Sequence, residues 1–225
     1  MNNYIKFLAV ALVLVTFTNC KKDEVKLSDY KYSDKTLNVA CSQIDSTLLK
    51  EALLSFEDDI ANFYARNGKP NLSQAYSRTV NLGIYGRGQY DKMVSDHSIE
   101  IFNVLKSKTD LWHTSGNKTT LNYNHPFVKC LAENIKDKEI QTTFNALLST
   151  NSMRQDIFGE ALRRKTSLAL RDKYLAAYIA FDFYYAPLFN VDLEALQAQK
   201  NTVNNAGNTE NKIKNNQDSH AGHNH

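Results

Sequence analysis

Three histidines fall within the last six residues, in Ser-His-Ala-Gly-His-Asn-His: His220, His223 and His225. Neutral imidazoles on a short flexible segment can converge on Cu(II), Ni(II) or Zn(II). A polar tail with no metal role has the same composition. The second residue that stands out is Asp182, in Ala-Phe-Asp-Phe-Tyr-Tyr. A carboxylate among apolar neighbours must be paired, hydrogen-bonded or protonated. It can bind a cation or a ligand hydroxyl, accept from a tyrosine, or pair with an arginine such as Arg78 or Arg87. Tyr178, Tyr184 and Tyr185 are placed to line an aromatic pocket beside it, or to fill a core, as aromatic residues at helical spacing commonly do.

Other patterns carry less chemistry. His97 and Glu100 share one helical face. A di-iron carboxylate bundle needs two Glu-x-x-His motifs and further glutamates, and this is one reversed half, beside Asp96. The run Gly83-Ile84-Tyr85-Gly86-Arg87-Gly88 lacks the spacing of a phosphate loop. It reads as a helix connection whose glycines supply positive φ. No G-x-S-x-G elbow organises the serines, histidines and aspartates into a hydrolase triad. Cys41 and Cys130 are either a disulfide or two separately buried thiols, and they do not form a C-x-x-C redox pair. A metal not held by the tail would turn to the remaining imidazoles, His97, His113 and His125.

The elements that must position these groups read as helices. The spacing predicts helices over 45–67, with Asp45 or Ser46 as cap and Gly68 and Pro70 after the end, and over 72–85 and 89–108. Residues 113–124 are polar and predict a loop. Asn124-His125-Pro126 predicts a helix start, with proline in the first turn, and Asp137 caps the next helix. The strongest pattern runs over 152–186 and is apolar nearly all round from Ala176 to Ala186, which predicts a central buried helix ended or bent by Pro187. Residues 191–199 add a short amphipathic turn, and from Lys200 the composition predicts disorder. The expected fold class is therefore all-α, an irregular bundle of about six or seven helices with a disordered C-terminal tail.

The first twenty residues fix the expected compartment. Lys6 is their single charge, and an apolar run follows from Phe7 to Phe17. That run is too short to span a bilayer and suits a cleavable secretory signal. Phe17-Thr18-Asn19-Cys20, followed by Lys21-Lys22-Asp23-Glu24, resembles the lipobox of bacterial lipoproteins, in the loose form found in the Bacteroidota. The resemblance implies cleavage before Cys20, lipidation of its sulfur, and anchoring in the cell envelope, at the outer membrane. It implies nothing about the domain that follows.

The organisation expected is a signal peptide over 1–19, a lipid anchor and polar tether over 20–42, a helical domain over 43–199, and a tail over 200–225. With 27 basic and 24 acidic residues, the chain has no strong electrostatic case for nucleic acid. The function expected is a lipid-anchored envelope module that binds a protein partner or a small ligand and requires no cofactor. The alternatives are metal handling through the His tail and a helical enzyme with a site near Asp182.

Overall fold

The computed structural model describes residues 25–200 and Thr202. The signal segment, Cys20 and the histidines of the tail lie outside the described residues.

Local signals set the first helices. Asp45 accepts the N–H groups of Thr47 and Leu48 at 3.0 and 2.9 Å and starts α1, Ser46–Phe63. Leu49, Ala52, Leu53, Phe56 and Ile60 bury its apolar stripe. Asn67 and Gly68, both at positive φ, turn the chain into α2, Leu72–Ile84, which Asn71 caps. The single helix expected over 89–108 is two: one turn, α3 (Tyr90–Met93), and α4 (Asp96–Ser107). Val94 is extended, and the Ser95 side chain caps α4 while its N–H goes to Asp59 at 3.0 Å.

The loop expected over 113–124 is in fact a β-hairpin followed by a short link. Strand β1, Trp112–Ser115, pairs antiparallel with β2, Lys118–Leu121. Gly116, at φ +58, opens the two-residue Gly-Asn turn between them, the arrangement of a type II′ turn. The hairpin is two-faced. Trp112, Thr119 and Leu121 are buried, and Trp112 stacks on Phe181. His113, Ser115, Lys118 and Thr120 occupy the opposite, polar face.

His125 and Pro126 start α5, Pro126–Asn134, as the sequence predicts, with His125 Nδ1 accepting the Phe127 N–H at 3.1 Å. Asp137 caps α6, Lys138–Ser149. The continuous helix expected over 152–186 is broken. It becomes α7 (Gln155–Leu162), a 3₁₀ turn (Thr166–Leu170), α8 (Lys173–Ala180), a π-helical turn (Phe181–Tyr185) and a second 3₁₀ turn (Ala186–Asn190). The decisive break is Asp172. It accepts the N–H groups of Tyr174 and Leu175 as the α8 cap and also that of Lys136 at 2.6 Å, so it holds two chain segments together. Every residue from Leu175 to Ala186 is buried, so this segment is central as expected. Residues 193–200 form a last helix, α9. The described residues thus hold nine α-helices, besides the 3₁₀ and π turns, rather than six or seven helices, and they are mostly helical with one small sheet. None of these helices is long and apolar enough to cross a membrane.

The segment expected as a polar tether is docked from Leu27 onward. Leu27, Tyr32, Val39 and Cys41 are buried. The Tyr32 N–H donates to both carboxylate oxygens of buried Glu51, at 3.2 and 3.1 Å. Lys50 Nζ donates to the carbonyls of Ser33 and Lys35. Cys41 and Cys130 form a disulfide that ties this segment to α5.

Candidate functional site

Asp182 is fully buried, and no arginine reaches it. Its Oδ1 accepts the Leu121 N–H at 3.0 Å. Its Oδ2 accepts the hydroxyls of Tyr123 and Tyr178 at 3.0 and 2.9 Å. Arg78 instead lies over the Tyr64 ring, and Arg87 over that of Tyr85. Burial pushes the Asp182 carboxyl above its usual range, and the three donors, with the charge of Lys118, pull it back. Burial and the nearby carboxylate raise both tyrosines, so their hydroxyls keep their protons and remain donors. The π-helical turn places Asp182 here; such turns recur at functional sites in helices. The contacts make Asp182 a positioning group: it fixes the end of β2 and the Tyr123 ring.

That ring opens onto a groove. One cavity of about 690 Å³ is lined by the polar face of the hairpin, by the link Asn122–Asn124, and by the start of α7. A second, of about 530 Å³, lies between the C-terminal end of α2, the turn around Tyr90 and residues 187–192. The two share Ile84, Lys118 and Gln155, so they adjoin across these side chains and are treated together as one groove, each cavity in the size range of small-molecule sites. Its charges nearly balance: Lys118 and Arg154 face Asp91, Asp156 and Asp192. Arg154 grips Asp156 through two nitrogens, at 3.1 and 2.6 Å, which holds the Asp156 carboxyl below the usual range.

Gln155 forms the junction of the two cavities and is only 5% exposed. Its Nε2 donates to the Asp182 carbonyl at 2.5 Å. A carbonyl can only accept, so the amide orientation is fixed and Oε1 is the free end. No described residue donates to that oxygen.

The other sequence candidates lie elsewhere. Tyr178 and Tyr185 are core residues that line neither cavity; the Tyr185 hydroxyl donates to the Ala52 carbonyl at 2.9 Å. His97 does not pair with Glu100. Its Nε2 meets Glu51 at 2.7 Å, while Glu100 accepts from Ser28 at the surface. His113 lines the groove, and His125 serves as the α5 cap. Gly83 lies inside α2 and makes room for Phe183; in the 83–88 run only Gly86 has positive φ. Among the described residues no three His, Cys, Asp or Glu side chains are placed to hold a metal ion. Sequence reasoning found Asp182 and missed Gln155, because a lone glutamine carries no signal until its neighbours are known.

The chain matches no protein-family model, no curated protein and no solved structure.

Proposed function

We propose that the chain is an exported, lipid-anchored binding module of the bacterial envelope, with the groove between the hairpin and α7 as the site for a small polar ligand. The signal-like start and Cys20 support export and anchoring. The groove carries the binding reading, through one observation: Gln155 is held rigid by Asp182 at the junction of two cavities and keeps an acceptor oxygen free. That oxygen is reached from the groove, since Tyr64 Oη is the one buried side-chain polar atom without a partner among the described residues, and a ligand donor can take the place of water on it.

Catalysis near Asp182 is less well supported. Three donors take three of the roughly four acceptor sites of the fully buried carboxylate, and Tyr123, which lines the groove, lies on it. Substrate would have no path to its oxygens without displacing that ring.

The test is a screen of polar small molecules against the isotope-labelled, disulfide-intact chain, followed by amide NMR. Ligands that shift the signals of residues 113–124 and 151–156 support the site. Hits that shift only residues remote from these, or a screen with no hit, would end the reading.

A further inference from the structure

The lining of the groove excludes most ligand classes in turn. A simple anion meets three carboxylates and the Gln155 acceptor against one unpaired cation, Lys118, since the Arg154 charge is paired with Asp156. A simple cation meets Lys118, which has no ion-pair partner among the described residues. An apolar ligand would strip water from Asn, Gln, Thr and Ser groups and return nothing. What fits is a neutral group that both donates and accepts.

The start of α7 adds the complementary half. Its N-cap, Arg154, contributes no side-chain cap bond, and of the first-turn N–H groups that of Asp156 meets its own carboxylate. An acceptor oxygen on a helix turn not capped by its N-cap side chain matches a hydroxyl, which gives one hydrogen bond and takes another. Asn124 and Asn151 are exposed on the same wall, and their amides offer further paired donors and acceptors. The Tyr123 ring, pinned by Asp182 through its hydroxyl, offers a fixed apolar face. Alternating hydroxyls and an apolar face are the surface of a sugar ring. Two adjoining cavities suit more than one ring.

Resting on the groove reading, we propose that the ligand is a neutral oligosaccharide, with one hydroxyl seated on Gln155 Oε1 and a sugar face against Tyr123.

Calorimetric titration of the full, disulfide-intact chain with neutral gluco-, manno- and N-acetylglucosamine tetrasaccharides tests this. Inorganic phosphate, a sulfated tetrasaccharide and a tetraglycine peptide serve as comparison probes. The expected result is binding of at least one neutral tetrasaccharide, little affected by salt. Gln155→Leu and Tyr123→Ala should each weaken it at least about tenfold, the loss of roughly one charge-free hydrogen bond or stacking contact. Lys118→Ala should change it by less than about threefold. If Gln155→Leu fails to fold, Asn151→Ala, at an exposed position, carries the test and should also weaken binding. No neutral tetrasaccharide bound, or a bound one indifferent to Gln155→Leu and Asn151→Ala, would overturn the proposal. Phosphate, sulfated sugar or peptide bound instead, with amide shifts at 113–124 and 151–156, would overturn the sugar class and keep the groove. No shift there with any probe would overturn both.

Discussion

Phe183 occupies the space that a β-carbon on Gly83 would need: an ideally placed carbon there would lie 2.7 Å from Phe183 Cδ1. The same ring also crowds Gly159 of α7, where an added β-carbon would meet its Cζ at 3.2 Å and Ile84 at 2.6 Å. Two glycines therefore let α2 and α7 close on the π-helical turn from either side. This contact sets the spacing of two groove walls.

Gly83→Ala should destabilise the chain by about 1–3 kcal/mol through overpacking. In a Phe183→Ala background the same change should cost less, because the δ-carbon that clashes is gone. Urea denaturation of the single and double variants measures both. Additive losses would show that the two positions are not in contact.

Asp182→Ala strands the Leu121 N–H and the hydroxyls of Tyr123 and Tyr178, and should cost roughly 3–5 kcal/mol at about 1–3 per buried unpaired group, allowing for partial relaxation. Asp182→Asn keeps an acceptor and should cost less. Burial raises this carboxyl, so the folded chain holds the proton more tightly than the unfolded chain does. The resulting stabilisation is complete below the unfolded carboxyl value of about 3.9 and is lost as pH rises through the folded value. Stability should fall with rising pH across that window in the wild type and stay flatter in Asp182→Asn. Denaturation midpoints from pH 4 upward decide it; an identical slope in both proteins would refute the assignment.

Reduction of the Cys41–Cys130 disulfide, or its removal by Cys41→Ser with Cys130→Ser, should cost about 3–5 kcal/mol, since the bridge closes a loop with a sequence separation of 89. Hydrogen exchange should accelerate first in residues 26–44, the segment that the bridge secures. Uniform acceleration over the whole chain would show that this segment has no independent opening.

Cys20→Ser should abolish incorporation of labelled palmitate in cells, because it removes the acceptor thiol at the expected cleavage site. Equal labelling of the wild type and variant would rule out the lipobox reading.

Truncation after Lys200 should remove transition-metal binding by His220, His223 and His225. That binding should weaken as pH falls through about 6.5, where a protonated imidazole cannot ligate. Calorimetry on full-length and truncated chains measures it, and undiminished binding after truncation would move the metal to His97, His113 or His125.

Caps were legible in the sequence because their partners are two or three residues away: Asp45, His125-Pro126 and Asp137 start helices where expected. Breaks set by distant partners were not. Ser95 divides 89–108 with its N–H on Asp59, and Asp172 divides 152–186 while holding Lys136. The hairpin carried a signal in Gly116-Asn117 between short threonine-bearing strands, which the polar composition masked. The docking of residues 27–41 draws on Glu51, whose carboxylate meets Tyr32 and His97, contacts that no local pattern marks. Of the candidate site, Asp182 was visible as an anomaly, and acceptance from a tyrosine was among its expected roles. Its other partners were not legible, because Leu121, Tyr123 and Gln155 reach it from 27 to 61 residues away.

The cross-link between Cys41 and Cys130 also dictates how the molecule carries load. A pull between an N-terminal attachment and the far end of the chain travels from Cys41 to Cys130 through sulfur and bypasses everything between them. Helices α1 to α4 and the hairpin lie in that bypassed ring. About 300 Å of potential extension is thereby withheld. Only the chain before Cys41 and after Cys130 can pay out under tension, and the hairpin wall of the groove is shielded from it.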